Sequence, residues 1–361
     1  MAAESPLHGV RVLEFLGLGP APFGGMLLAD LGADVLAVAR PGVPRPALAD
    51  NRPVLEADLK SPQGLATVRR LAARADVLVE GFRPGVMERL GLGPEELRAA
   101  HPGLVYARMT GWGQHGPLAL RAGHDLNYIG LTGALHHAAR VGDVPTPTAN
   151  LLGDFGGGGM YLAVLVLAAL QRRHRTGQGE VLDAAVVDGT VYLTAMLHEY
   201  RSRGTWSDRA GTNRLDTGAP YYDVYRCADG RHVAIGALEP QFFAALAELL
   251  GLDPNWLDLR EVPDHWPQLR RAIEAAVLTR TRDEWAAAAA DTDACLTPVL
   301  DLDEAAAHPH QLARGVLPPA PDGRPGWRPV LPGRGVPNAE KAENAEDALA
   351  RWRNSPREDS R

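Results

Sequence analysis

The segment VRVLEFLGLGPAPFGGMLLADLGADVLAVAR, residues 10–40, contains two short apolar runs and one longer one. The short runs, Val10–Leu16 and Ala33–Ala39, are rich in β-branched and aliphatic residues, and the longer run Phe23–Leu31 follows a turn of glycine and proline. Short β-type runs that alternate with longer helical segments are typical of βαβ units in a parallel sheet. The segment therefore predicts strand, helix and strand.

The same alternation continues along the first half of the chain. We predict helices at Pro62–Arg74 and Phe155–Arg175, strands at Asp76–Glu80 and Leu104–Met109, and a strand–helix pair at Glu180–Leu197. The fold class is therefore α/β, with a Rossmann-like large domain over 1–185 that is completed by about 330–361. Residues 186–219, which include the polar stretch 201–215, predict a linker. We predict a smaller α+β domain at 220–313, and the Pro- and Gly-dense 314–330 predicts a return linker.

Composition excludes several classes of protein. A chain of 361 residues with a formal charge of -7 lacks the clustered basic surplus of a nucleic-acid-binding protein. Its two cysteines, Cys227 and Cys295, have no C-x-x-C spacing, so we expect neither a disulfide framework nor a zinc site. The N-terminus has no signal-peptide pattern, and the apolar run Met160–Leu170 is shorter than the roughly 20 residues of a membrane span. We expect a cytoplasmic protein without a membrane partner.

Basic residues recur where the predicted strands end. The turn Gly17-Leu18-Gly19 resembles the start of a dinucleotide fingerprint, but Pro22 occupies the position of its third glycine and the next strand ends in Arg40. An arginine there suits a ribose phosphate better than a ribose hydroxyl. Further basic residues near strand ends are Arg52, Lys60, Arg83 and Arg89. Together they fit a polyphosphate ligand at the sheet edge, whereas each alone is better explained as a solvated surface charge.

Two loops carry residues suited to acid–base chemistry. The run GDFGGGG at 153–159 has no following Lys-Ser/Thr, so it is not a phosphate-binding P-loop. We expect Asp154 at the start of a helix, where the glycines would let a ligand approach N–H groups; alternatively Asp154 is an N-cap and the glycines serve helix packing. His124, in AGHDLNY at 122–128, is either an acid–base group or a structural histidine. No histidine pair has metal-ligand spacing, and no G-x-S-x-G serine motif occurs.

These segments together resemble the family III CoA-transferase (CaiB/BaiF) superfamily, and within it the α-methylacyl-CoA racemase branch. The resemblance covers nearly all of residues 7–315. It is carried by LGPAPFG at 18–24, LADLGADV at 28–35, EGFRPGV at 80–86, YARMTGWGQ at 106–114, GHDLNY at 123–128, GDFGGG at 153–158, GAPYYD at 218–223, LEPQF at 238–242 and TDACLTPV at 292–299.

The resemblance implies an interlocked homodimer and a set of site residues. His124 and Asp154 would be the catalytic pair, and Glu239 would hydrogen-bond the histidine from the partner chain. CoA contacts would fall on Arg40, Ala57, Asp58, Leu59, Lys60, Gly81, Phe82, Arg83, Arg89, Gly123, Asp125, Leu126, Asn127 and Tyr128. The substrate would be a 2-methylacyl-CoA, so CoA enters as part of the substrate, and neither a cofactor nor a metal is implied.

Three functions agree with these residues. In this superfamily the transferases use the aspartate as a nucleophile and generally lack the histidine, so the presence of both His124 and Asp154 favours a racemase that acts through an enolate. The alternatives are a CoA-transferase with an aspartyl intermediate and a non-catalytic acyl-CoA-binding protein. A racemase needs one group on each face of the planar carbanion. In one direction Asp154 must start protonated, which requires a raised pKa.

Overall fold

The computed structural model describes residues 5–318, 329–331 and 344–354. The strands are β1 Arg11–Phe15, β2 Asp34–Ala39, β3 Val54–Glu56, β4 Val77–Glu80, β5 Val105–Thr110, β6 Val181–Ala185, β7 Tyr222–Arg226, β8 His232–Gly236 and β9 Leu296–Pro298. The α-helices are α1 Pro20–Asp30, α2 Pro62–Ala72, α3 Val86–Arg89, α4 Pro94–Ala100, α5 Asp125–Leu131, α6 Tyr161–Thr176, α7 Val186–Leu193, α8 Ala195–Ser202, α9 Pro240–Leu250, α10 Trp256–Leu259, α11 Trp266–Val277, α12 Arg282–Ala289, α13 Leu302–Ala307, α14 Pro309–Arg314 and α15 Ala345–Asn354. Short 3₁₀ turns lie at Ala47–Ala49, Leu135–His137 and Pro263–His265.

The chain divides into two compact units. The first comprises the described residues of Met1–Ala134, Thr148–Ala195 and Pro329–Arg361, and the second those of Leu135–Pro147 and Met196–Arg328. The segment 186–219, which the sequence predicts as a linker, is thus divided between the units. Residues 319–328 of the predicted return linker lie outside the described residues, as do 332–343 and 355–361 of the predicted C-terminal completion.

The first unit contains a six-stranded parallel sheet in the order β3-β2-β1-β4-β5-β6. This is the doubly wound order, and it confirms the predicted α/β, Rossmann-like fold class. Leu13 of β1 is paired with Leu36 of β2 on one side and with Leu78 of β4 on the other. Strand order reverses between β1 and β4, and doubly wound sheets bind ligands beyond the carboxyl ends of the strands at that point.

The residue Arg52 lies inside this unit and not at its surface. Its side chain is 1% exposed, and it forms a bidentate ion pair with Glu14 of β1 through Nε at 2.6 Å and Nη2 at 2.8 Å. The guanidinium also donates to the carbonyl oxygen of Pro22 at 2.9 Å. The prediction that Arg52 contributes to a phosphate site is therefore wrong, because its guanidinium is buried and paired with the carboxylate of Glu14.

The glycine-rich helix begins earlier than the sequence predicts. A π-helical segment runs over Leu151–Met160 and continues directly into α6. The continuous helix of 26 residues, Leu151–Thr176, is long and apolar enough to cross a membrane by length and composition alone. That test is also passed by core helices of soluble proteins. Here Leu162 and Val166 are buried in the same cluster as strand residues of the sheet.

The second unit is built on an antiparallel sheet in the order β7-β8-β9. Its core combines strand residues such as Val233 and Ile235 with Phe243 of α9 and Ile273 of α11. Residues 135–147 also belong to this unit, where Arg140 donates to both carboxylate oxygens of Asp223 at 2.6 Å.

The C-terminal helix α15 packs in the first unit. Leu349 and Trp352 are 0% and 1% exposed, and they lie in one apolar cluster with Leu71 of α2. The indole Nε1 of Trp352 donates to Asp34 Oδ2 at 2.9 Å. Helix α15 therefore covers apolar side chains of the first unit beside β2.

Candidate active site

The carboxylate of Asp154 lies at the point where strand order reverses. The turn after β1 contains Gly19 at φ 68°, and a Cβ on Gly19 would lie 2.9 Å from Asp154 Oδ2. Only a residue without a side chain adopts that backbone conformation easily and also leaves room for the carboxylate. Asp154 is thus held against the carboxyl end of β1, where doubly wound folds bind their ligands.

The helix that carries Asp154 begins at Leu151, so the prediction that it begins at Asp154 is wrong. Asn150 occupies the N-cap position and donates through Nδ2 to Asp154 Oδ2 at 3.1 Å. The N–H of Asp154 donates to Asp125 Oδ1 at 2.7 Å. That N–H is therefore engaged by another carboxylate, and it is not a free donor for a ligand oxygen.

His124 lies directly before α5, in extended backbone with φ −133° and ψ 173°. Its N–H donates to Asn127 Oδ1 at 3.0 Å, and its side chain is exposed. Within the described part of the chain no hydrogen bond reaches its imidazole. The ring is near enough to Asp154 to act on its pKa, so the structure brings the two predicted catalytic residues together.

The pKa of Asp154 is raised. Burial is the largest cause, because it disfavours the charged carboxylate. The hydrogen bond from Asn150 acts in the opposite direction, the negative charge of Asp125 raises the pKa further, and His124 lowers it. A raised pKa is what a carboxyl group needs in order to start a reaction in its protonated form, and the sequence contained no signal for it.

The glycine run serves helix packing. A Cβ would lie 2.3 Å from Thr190 Oγ1 at Gly157, 2.7 Å from Pro20 Cβ at Gly158 and 2.6 Å from Phe23 Cδ1 at Gly159. These three glycines therefore let the helix approach α1 and α7 closely. Of the two explanations that the sequence left open for the run, the structure supports packing and not the approach of a ligand.

The predicted CoA contacts after β2 and β3 lie side by side. Arg40 is exposed at the end of β2, and the N–H of Ala57, just after β3, donates to Ala39 O at 2.9 Å. Asp58 Oδ1 accepts the N–H of Lys60 at 2.9 Å and so shapes the turn into α2. Arg40 and Lys60 are exposed at the same edge of the sheet, whereas Ala57 is buried and Leu59 is half-buried.

A second group of predicted contacts follows β4. Gly81, Arg83 and Arg89 are exposed, and Phe82 is half-buried with its ring against Phe15. The charge of Arg83 acts on Tyr128, whose pKa is raised mainly by burial and lowered by this arginine. The loop after β4 is therefore close to α5, as a shared ligand site requires.

The GHDLNY segment is a compact structure of its own. The Tyr128 hydroxyl donates to the carbonyl of Gly123, and its ring meets Trp112 edge-on with centroids 4.7 Å apart. Leu126 and Asn127 are exposed, whereas Asp125 is only 6% exposed. The sequence analysis missed Asn150 and Trp112 as site residues, and only their positions in the fold reveal them.

Glu239, the third predicted catalytic residue, lies in the second unit. It follows β8, occupies the N-cap position of α9 and is exposed. Its carbonyl oxygen accepts the N–H of Phe243 at 3.0 Å. No group of three or more His, Cys, Asp or Glu side chains within the described ranges is arranged to hold a metal ion.

The chain belongs to CoA-transferase family III, which it matches over residues 7–348. It is 46% identical over 309 residues to the α-methylacyl-CoA racemase of Mus musculus, covering 85% of this chain and 81% of the relative. It is 45% identical over 313 residues to the α-methylacyl-CoA racemase of Homo sapiens, covering 86% and 81%. The crystal structure of a CaiB/BaiF family protein from Brucella suis superimposes with a TM-score of 0.80 at 27% identity, covering 98% of this chain and 100% of that one.

Proposed function

We propose that this chain is an α-methylacyl-CoA racemase that interconverts (R)- and (S)-2-methylacyl-CoA thioesters through an enolate. The observation that carries the proposal is the pairing of His124 with an Asp154 whose pKa is raised by burial. The two mammalian relatives named as racemases support the substrate class, since each covers most of this chain.

The reaction needs one proton acceptor and one proton donor. In one direction the imidazole of His124 takes the α-proton, and the electron pair of the C–H bond moves into the thioester to form an enolate. The carboxyl group of Asp154 then donates its proton to the opposite face of the α-carbon. In the other direction the aspartate is the base and the protonated histidine is the acid. The raised pKa of Asp154 increases the fraction of the carboxylic acid that is present at a given pH.

The developing enolate oxygen also needs a hydrogen-bond donor. The N–H of Asp154 itself is not available for this, because it donates to Asp125. The donor is therefore another group of the site.

The two acid–base groups complete the proton transfer by themselves, so we propose that no cofactor takes part and that CoA enters only as substrate. A cytoplasmic location stays a prediction.

A CoA-transferase is the main alternative, because the family includes that activity. A transferase needs Asp154 as an ionised nucleophile, and a raised pKa lowers the ionised fraction at a given pH. A nucleophilic aspartate also has no need of His124 beside it. A protein that only binds acyl-CoA needs neither group. The observed environment of Asp154 therefore favours proton transfer.

We expect the protein to exchange the α-proton of a 2-methylacyl-CoA with solvent. Each pure enantiomer, incubated in D₂O with EDTA and with an added free carboxylic acid, should become α-deuterated and racemic while no CoA passes to the acid. Proton NMR measures the exchange, chiral chromatography the configuration, and mass spectrometry the acyl-CoA products. Reactions without protein and with Asp154→Asn are the controls. CoA transfer to the acid without α-deuteration would instead identify a transferase.

We also propose that the active species is a homodimer. Helices α6 and α7 expose apolar side chains: Val164 is 60% exposed, Tyr192 76% and Leu193 53%. Apolar side chains grouped on neighbouring helices are typical of surfaces that another protein covers. The family resemblance supports a second copy of this chain as the partner, and we propose that Glu239 supports the His124 of the other chain.

Mixed dimers test this arrangement. Glu239→Ala and His124→Ala chains, each carrying a different tag, should be nearly inactive as homodimers. When they are co-expressed, the heterodimer has both lesions in one site and none in the other. It should regain about half of the wild-type rate per dimer after tandem affinity purification. Isolated heterodimers with no activity above the homodimers would reject the shared site.

A further inference from the structure

Asp125 is a buried carboxylate that the proposed reaction does not use. It is 6% exposed, and its Oδ1 accepts the N–H of Asp154 at 2.7 Å. Its Oδ2 is also buried, and among the described residues it has no hydrogen-bond partner. A buried carboxylate oxygen without a partner is costly, so this position calls for an explanation.

The carboxylate connects the two proposed acid–base residues. Asp125 is the residue after His124, and its side chain binds the main chain of Asp154. A Cβ on Gly153 would lie 2.4 Å from Asp125 Oδ1, so the carboxylate fits against the start of the π-helical segment only because residue 153 is glycine. A single side chain thus links the segment that carries His124 to the segment that carries Asp154.

Helix capping does not account for this arrangement. Asp125 is the first residue of α5, where acidic side chains commonly favour the N–H groups of their own helix. Here Oδ1 instead serves an N–H of a different helix, 29 residues further along the chain. The arrangement also places a negative charge beside a carboxyl group, which is unfavourable unless the proximity serves the site.

The charges around Asp154 come from few residues. The titratable groups that act on it are Asp125 and His124, and Tyr128 of α5 is near enough for Asp154 to act on its pKa in turn. The other two contacts, Asn150 and the turn at Gly19, carry no charge. The negative charge of Asp125 raises the pKa of Asp154, in addition to the larger effect of burial.

We infer that Asp125 is a positioning residue of the racemase reaction: its carboxylate holds Asp154 in place relative to His124 and keeps a negative charge beside the Asp154 carboxyl. This inference rests on the proposed function for its catalytic meaning. Asp125 itself does not exchange a proton with the substrate; it acts through Asp154. Its side chain therefore has a role different from the CoA contact that the sequence analysis assigned to it.

Two substitutions separate position from charge. Asp125→Asn keeps an oxygen that can accept the N–H of Asp154 and removes the charge, whereas Asp125→Ala removes both. Asp253→Asn is a matched control, because Asp253 is exposed and its Oδ1 likewise accepts a backbone N–H, that of Asn255 at 2.9 Å. Carbon-13 NMR of the Asp154 carboxyl, assigned by comparison with Asp154→Asn, gives its titration without any turnover. Hydrogen exchange of the Asp154 amide reports on the hydrogen bond.

In Asp125→Asn we expect Asp154 to titrate at a lower pH than in the wild type, because a neighbouring negative charge is gone. At low pH both His124 and Asp154 are protonated, so neither can act as the base and kcat/KM falls. We expect this acid limb of the pH profile to move to lower pH as well. In Asp125→Ala the Asp154 amide should exchange faster, and kcat should fall by about 10²-fold, the order that a misplaced catalytic group costs, while KM stays within about twofold. Asp253→Asn should change none of these quantities.

An unchanged titration of Asp154 in Asp125→Asn, or wild-type kcat in Asp125→Ala, would overturn the inference. If Asp125→Ala does not fold, two measurements on Asp125→Asn test the inference: the titration of Asp154 and the acid limb of kcat/KM. The NMR titration and the hydrogen-exchange measurement need no catalysis. A failure of the Asp125 inference can therefore be distinguished from a failure of the proposed racemase function. A wild-type protein that shows no α-deuteration removes the racemase function but leaves the Asp125–Asp154 linkage testable by NMR.

Discussion

Replacing His124 or Asp154 by alanine is expected to lower the rate of racemisation by about 10²- to 10⁴-fold, the usual contribution of an acid–base group. Each enantiomer requires one residue as the base and the other as the acid, so either loss interrupts both directions. Affinity for CoA should change little, because neither His124 nor Asp154 is among the predicted CoA contacts. Chiral chromatography of the product from each pure enantiomer gives the racemisation rate, and calorimetric titration with free CoA gives the affinity.

His115→Ala is the matched control for the histidine, since His115 is exposed and belongs to the loop that follows β5. It should keep the wild-type rate. For the aspartate, Asp154→Asn preserves the shape of the side chain and the position of Asn150, so its loss of rate reports on proton transfer and not on packing. A His124→Ala protein that retained most of its racemisation rate would show that the assigned pair is not the catalytic one.

Replacing Arg52 by alanine is expected to lower the free energy of unfolding by about 3–5 kcal/mol, the cost of breaking a buried ion pair by removing one partner. Glu14 would remain 0% exposed with no cation beside it. Burial already raises the pKa of Glu14, and Arg52 is the group that opposes this effect. The carbonyl oxygens of Pro22 and Leu48 would also lose a donor. Urea unfolding followed by circular dichroism measures the change.

Arg40→Ala provides the comparison, because Arg40 is exposed at the sheet edge. Its free energy of unfolding should stay within about 0.5 kcal/mol of the wild type, as for most surface substitutions, while its affinity for CoA falls. The two arginines look alike in the sequence as cations near the ends of predicted strands. An Arg52→Ala protein as stable as Arg40→Ala would contradict the structural role of the buried pair.

The architecture of the first unit could be predicted from local patterns. In the segment 10–40 the apolar runs at the predicted strands correspond to β1 and β2, because strands that are buried on both faces of a parallel sheet consist mostly of apolar residues. The breaks between runs are marked by Gly and Pro, whose backbone preferences act within a few residues. The identities of His124 and Asp154 were also recognisable, because they lie in distinctive short motifs of a known family.

Boundaries and burial could not be predicted in the same way. The helix start at Leu151 is four residues earlier than predicted, since the GDFGGGG run suggests a loop until α1 and α7 pack against its glycines. The direction of the Arg52 side chain depends on Glu14, 38 residues away in the sequence. No local pattern shows that a basic residue after a turn will face inward.

The environment of the proposed catalytic pair was decided by tertiary structure alone. The residue types at 124, 125 and 154 follow from the sequence, but the burial that raises the pKa of Asp154 and the bond from its N–H to Asp125 arise only when two helices approach each other. Desolvation and charge–charge interaction act through space between residues far apart in the chain. The sequence therefore identifies the groups that can exchange a proton, and the fold sets the burial and the charges that shift the pKa of Asp154.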